Sequence, residues 1–147
     1  MLAEEQRLLD EFIAAIGAER SALDATDTAD LVAATQRKSA LATRLAAIEH
    51  SRDEALRSAG HAAGRTGMEA WLALPANAGA RPAWQALLAA AARARDANDA
   101  NGKLLALRLQ HNRQALDVLL GESAGGSTYG ADGQVAGSGT GRRLGSA

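Results

Sequence analysis

The chain contains no cysteine, which excludes disulfides, thiol nucleophiles and cysteine-ligated zinc or iron–sulfur centres. Aromatic residues make up only 3% of it, so alanine and leucine must supply most of the buried surface. That composition suits closely packed helices better than sheets. Proline occurs only at Pro75 and Pro82, leaving long uninterrupted stretches on either side. Charge of one sign is also missing: the formal net charge is -1, with no clustered basic face to favour nucleic acid. No stretch approaches the ~20 uncharged residues of a membrane span. The start, MLAEEQRLLDEF, is acidic and lacks the basic n-region of a signal peptide. The expectation is a cytoplasmic chain with no direct membrane insertion.

What is present is helical periodicity, and it ends at Gly121. In the first segment, Leu2 to about Leu23, the apolar residues Leu9, Phe12, Ile13, Ile16 and Leu23 recur at steps suited to one helix face. The cluster from Asp24 to Thr28 supplies N-cap side chains for the next helix. A second helix is expected from about Ala29 to Ala59, with Leu31, Leu41, Leu45, Ile48, Arg52 and Ala55 on one stripe and Gly60 as its C-cap. At ~1.5 Å per residue it would be about 45 Å long, which implies an elongated bundle. Gly60, Gly64 and Gly67 are expected to break regularity. MEAWLAL, Met68 to Leu74, reads as a connector of one or two helical turns pinned by Trp71, followed by a loop, ANAGARP.

Pro82 suits the first turn of a third main helix, running from Ala83 to about Leu120. Its stripe takes in Trp84, Leu88, Ala91, Ala94, Asn98, Asn101, Leu105, Asn112 and Leu119. Asn101-Gly102 interrupts that stripe with a pair that often makes a hairpin turn. The flanks are not strand-like, and one glycine inside a helix costs only about 1 kcal/mol, so the helix is expected to continue. From Gly121 onward lie nine of the fifteen glycines and almost no apolar periodicity. The fold class is therefore all-α: an elongated antiparallel bundle of three main helices with a short connector helix and a disordered Gly-rich C-terminal tail. The division falls into a helical domain, 1–121, and a tail, 122–147.

Charge is uneven along the chain. Through Asp30 there are eight acidic residues (Glu4, Glu5, Asp10, Glu11, Glu19, Asp24, Asp27 and Asp30) against Arg7 and Arg20. An acidic outer face on the first helix is expected, serving solvation or a basic partner. Catalytic constellations are not apparent. No phosphate-binding loop occurs, and the series Gly137, Gly139, Gly141 follows no strand and precedes no helix. The three histidines, His50, His61 and His111, are far apart and lack the Glu-x-x-His pattern of di-iron bundles. No cofactor or metal is expected, and the chain reads as non-enzymatic. A histidine phosphotransfer bundle using His50 or His61 is a rival reading from another class.

Leucines crowd the second half of the third helix: Leu104, Leu105, Leu107, Leu109, Leu116, Leu119 and Leu120, with Val118. They point around more of the helix than one intramolecular seam uses. One reading packs Leu105, Asn112 and Leu119 at home, with Asn112 holding register by hydrogen bonding, and turns Leu109, Leu116 and Leu120 toward a partner helix. Another closes the bundle with all of them, and a third makes them the seam of a self-associating coiled-coil adaptor.

The order of these features resembles the FlgN family. The resemblance is carried by the acidic first helix, LVAATQRKSALATRLAAIE in the second and NDANGKLLALRLQHNRQAL in the third. Its most specific pieces are Asn98-x-x-Asn101-Gly102 with the leucine-rich run, then YGADGQ from Tyr129 to Gln134. It implies a cytoplasmic chaperone of flagellar type III export. The implied clients are the two hook-filament junction proteins, also called hook-associated proteins, whose C-terminal amphipathic helices it would bind and keep from premature assembly. Client contact would fall on Leu105, Leu109, Asn112, Leu116, Leu119 and Leu120. The resemblance further implies docking of the tail on the cytoplasmic domain of the flagellar export gate through Tyr129, Gly130, Asp132 and Gly133.

Overall fold

The first two helices are separated by a turn that satisfies its own backbone. Helix α1, Leu2–Ala25, ends at Thr26, whose φ of 58° places it in the left-handed region. The Thr26 and Asp27 amides then donate to the Leu23 and Ala22 carbonyls at 3.2 and 3.0 Å, closing two of the last free acceptors. Asp27 starts helix α2, Thr28–Ser58, by accepting from the Asp30 amide at 3.0 Å. At the far end of α2, Gly60 takes a φ of 80°, and His61 donates to the Leu56 carbonyl at 2.9 Å. The structure is a computed structural model and describes residues 1–125, with side chains described through residue 120.

The connector is more helical than its sequence suggests. Helix α3 spans Gly64–Leu72, starting earlier than Met68 because the Asp53 carboxylate accepts from the Gly64 amide at 2.9 Å and so anchors its first turn. Gly67 does not break regularity; it lies inside α3, where the Ala62 carbonyl oxygen would stand 1.6 Å from any Cβ. Close approach, not chain breaking, explains that glycine. The expected loop after Pro75 is a 3-10 helix, Pro75–Ala80. Proline presets φ for its first turn, and the Asn77 side chain donates to the Trp71 carbonyl at 3.0 Å. Helix α4 then runs without a break from Arg81 to Gly125, through Asn101-Gly102.

Two compact units divide the chain, Met1–Ala106 and Leu107–Ala147. In the first, α2 runs antiparallel to α1: Arg52 pairs with Glu5 near the start of α1, and Lys38 with Glu19 near its end. The part of α4 in this unit runs parallel to α1, with Trp84 beside Arg52 and Asn101 bonded to the Ile16 carbonyl. The main core joins Leu9 and Ile16 of α1, Leu56 of α2, Met68 and Leu72 of α3, and Trp84, Leu87, Ala90 and Ala94 of α4. A smaller cluster, Leu8, Ala15 and Leu41, lies between α1 and α2. Trp71 packs half-buried against the main core and so pins the connector. The α2 stripe drifts at its end: Leu56 is buried where Ala55 was expected, because the larger side chain reaches α3 and α4. The architecture is all-α, with no strand among the described residues.

Of the second unit, the described part is the continuation of α4 from Leu107 to Gly125. The expected tail, 122–147, lies mostly outside the described residues.

Candidate functional site

Two polar clamps tie the helices of the first unit together, and both use carboxylates of α1 expected on its outer face. That acidic face is divided. Glu4, Asp10 and Asp24 are exposed, whereas Glu5 and Glu19 are buried. The reason is helical phase: Glu5 and Glu19 fall in step with Leu8, Leu9, Phe12, Ala15, Ile16, Ala22 and Leu23. A buried carboxylate needs a partner, and α2 supplies one for each.

At one end Arg52 of α2, 3% exposed, hydrogen-bonds and ion-pairs with Glu5. Its guanidinium also lies 5.2 Å from the centre of the Trp84 ring. Trp84 in turn donates its indole N–H to Glu69 Oε1 at 3.1 Å, and Arg81 pairs with the other oxygen of Glu69 at 3.3 Å. Four helices therefore meet through one chain of polar contacts. An apolar cavity of about 320 Å³ opens beside Leu2, Leu56, Met68 and Trp71. Its one charged lining side chain is Arg52, already committed to Glu5.

At the other end Glu19 accepts from Lys38 at 2.6 Å and from the Asn101 side chain at 2.9 Å. The same Asn101 amide donates to the Ile16 carbonyl at 2.9 Å, and Lys38 also donates to Asn98 Oδ1 at 3.0 Å. Asn98 and Asn101, which look out of place in an apolar stripe, are thus the α4 half of a three-helix clamp. Burial pushes the Glu19 carboxyl up, but hydrogen bonds from Lys38 and Asn101, the Lys38 charge and Thr35 together reverse this and hold it below its ordinary value. The clamp serves ionised Glu19.

Most of the leucine-rich run of α4 is exposed, with Leu104 half-buried. Leu105, in the first unit, is 41% exposed. In the second unit Leu109, Leu116, Leu119 and Leu120 are 51%, 57%, 63% and 66% exposed, and Asn112 is exposed as well. Leu105, Asn112 and Leu119, expected to pack at home, are thus exposed like Leu109, Leu116 and Leu120, expected to face a partner. Leu109, Leu116 and Leu119 are exposed and belong to neither apolar cluster of the first unit. Tyr129, Gly130, Asp132 and Gly133 lie outside the described residues.

Among the described residues no group of three or more His, Asp or Glu is placed to hold a metal. His50 stands exposed with its Nε2 3.2 Å from Glu54, and His61 is half-buried at the α2 terminus. No helix among the described residues is long and apolar enough to cross a membrane. What the geometry offers is a braced three-helix base and an apolar helix face. A family model described as FlgN protein matches residues 1–137. The chain belongs to the FlgN family. Neither a curated protein nor a solved structure gives a significant match. Members of the FlgN family are flagellar export chaperones, and the matched range covers both clamps, the leucine-rich run and the YGADGQ segment of this FlgN chain.

Proposed function

We propose that this chaperone captures the C-terminal amphipathic helices of the hook-filament junction proteins on the leucine stripe of α4. The observation that carries the reading is the exposure of Leu109, Leu116, Leu119 and Leu120 on one helix. Contiguous exposed apolar residues on a helix face usually mark a partner site. At 100° per residue, Leu105, Leu109, Asn112, Leu116, Leu119 and Leu120 span an arc of about 100°, the width of one apolar seam. A client helix laying its own i, i+3, i+4 and i+7 residues along that seam hides them from self-association until export. Covering and release need no cofactor.

In the same reading the protein acts in the cytoplasm, and Tyr129, with Gly130, Asp132 and Gly133, docks the loaded chaperone on the cytoplasmic domain of the export gate. An aromatic side chain suits an interface anchor. Isothermal titration of the full chain with the C-terminal segment of each junction protein tests capture. One-to-one binding with a large negative heat-capacity change is expected, since a helix folds as its apolar face is covered. Absence of heat with both segments overturns the client assignment. The heptad spacing of Leu105, Leu109, Asn112, Leu116 and Leu119 also suits a self-associating adaptor, which predicts a stable oligomer by sedimentation with or without client.

A further inference from the structure

The first unit carries a second apolar surface that shares no residue with the leucine stripe. Helices α2 and α4 meet where Arg52 lies over the Trp84 ring and again where Lys38 donates to Asn98. Between those contacts each helix runs about 21 Å at ~1.5 Å per residue. A groove of about 350 Å³ opens between them. Half-buried Leu45, Leu88 and Ala91 line it above Leu9, Trp84 and Leu87 of the core. The lining residues of α4, from Trp84 through Leu88 and Ala91 to Arg95, recur at steps of four, three and four, so the helix turns one continuous face to the groove.

The charges around this groove do not cancel. Glu5 and Glu49 are both paired with Arg52. Arg65 of α3 and Arg95 of α4 are exposed, and among the described residues neither forms an ion pair. They stand at opposite ends. Arg65 follows Gly64, whose amide is held by Asp53 next to Arg52, whereas Arg95 lies about three turns along α4 from Trp84. Of the neighbouring carboxylates on α4, Asp96 is turned about 100° round the helix from Arg95, and Asp99 falls beyond the Asn98 contact.

We propose that the groove is a second docking site, and that its occupant is a short acidic amphipathic helix of a partner protein. Its apolar residues cover the floor, and a carboxylate near each end meets Arg65 and Arg95. A channel of about three turns between two helices fits a helix laid along it, and unpaired arginines at its ends select carboxylates. A second copy of this chain offers no such helix. The apolar residues of acidic α1 are spent in the core, and the exposed leucines of α4 lie in a segment, 103–120, with three cations and one carboxylate. A fatty acid brings one carboxylate to two separated arginines, and Glu49, exposed on the α2 edge, opposes an anionic membrane.

Two synthetic helices of about four turns, both with leucine at i, i+3, i+4 and i+7, provide the test. One carries glutamate beside the leucines in its first and last turns, the other lysine. Because the leucine stripe also suits an apolar helix, both are titrated against the full chain carrying Leu109→Asp and Leu116→Asp. Fluorescence anisotropy should show the glutamate helix bound about tenfold more tightly, a margin that two contacts supply when they attract one probe and repel the other. Amide shifts in NMR spectra should fall on residues 45–52 and 84–95. Adding Arg65→Glu with Arg95→Glu should lose or reverse the preference at an unchanged melting temperature, whereas Arg65→Lys with Arg95→Lys should keep it. Equal binding of the two helices, or shifts confined to other residues, overturns the proposal. So does occupation of the groove by dodecanoate without any helix preference, or dimerisation that covers the same residues. Titration of the unaltered chain with the junction-protein segments reads client capture separately, so the two readings fail independently.

Discussion

Asn101 and Glu19, 82 residues apart in the chain, are joined by a 2.9 Å hydrogen bond inside the first unit, and the same amide group reaches the Ile16 carbonyl. One small side chain on α4 thereby satisfies two acceptors on α1. Neither acceptor is well placed to recover that bond from water, since Ile16 is 2% and Glu19 6% exposed.

Asn101→Ala should therefore destabilise the protein by about 1–3 kcal/mol, the penalty for stranding buried acceptors rather than the net worth of a hydrogen bond. Asn101→Leu should be no better, because added apolar area does not pair a carboxylate. Urea denaturation followed by circular dichroism measures both. Wild-type stability in Asn101→Ala would show that α4 is held by its apolar face alone.

The Glu19 carboxyl sets a pH dependence. Its folded pKa lies below the ordinary value of 4.5, so it takes up a proton less readily folded than unfolded. The stability it contributes is complete above that ordinary value and is lost as pH falls through the folded one. Thermal melts between about pH 6 and pH 2 should show this as part of the acid limb. Glu19→Gln should melt lower than wild type at neutral pH and approach it at the acid end. A constant difference across the range would mean the clamp is indifferent to ionisation.

Most of this architecture was legible because periodicity and caps are local. Asp27 at an N-cap, Gly60 in the left-handed region and Pro82 in a first turn each act within a few residues of themselves. The clamps were not legible, although a signal existed: Glu5 and Glu19 stand in the apolar phase of α1, where a charge implies a buried partner. Sequence could not name Arg52 or Lys38 as those partners, because pairing across helices depends on register. The role of Gly67 is hidden for a similar reason, since its close neighbour Ala62 belongs to the preceding turn of chain rather than to α3. The leucines of α4 exceed what one seam needs, but that residues of both seams lie exposed is a matter of tertiary packing, which local periodicity does not carry.

The Glu5–Arg52 pair makes a contrasting prediction about buried charge. Arg52→Ala leaves a buried carboxylate without its counter-ion and should cost about 3–5 kcal/mol. Replacing both partners, Glu5→Leu with Arg52→Met, removes the desolvation penalty together with the attraction and should recover most of that loss. A double-mutant cycle in urea gives the coupling energy. If the double variant is as unstable as Arg52→Ala, the contribution of Arg52 lies in its contact with Trp84 instead.

Two glycines should respond differently to alanine. At Gly67 a Cβ would meet the Ala62 carbonyl oxygen at 1.6 Å, so α3 must move and the loss should reach about 2 kcal/mol or more. At Gly60 there is open space but a φ of 80°, so the cost is conformational and near 1 kcal/mol. Equal losses in chemical denaturation would place the cost in backbone freedom at both positions.

The exposed stripe predicts a separation of folding from binding. Leu109 and Leu116 are 51% and 57% exposed and belong to neither apolar cluster of the first unit. Replacing both by aspartate removes apolar surface from a face that already meets water, so the first unit should unfold at its wild-type midpoint. On the proposed function the same pair of changes should abolish binding of the junction-protein segments, because each places a carboxylate where a client leucine must sit. Titration of the double variant beside its urea curve decides between the possibilities. Lost binding with an unchanged midpoint assigns the stripe to the client, whereas a lowered midpoint would mean that these leucines stabilise the chaperone itself.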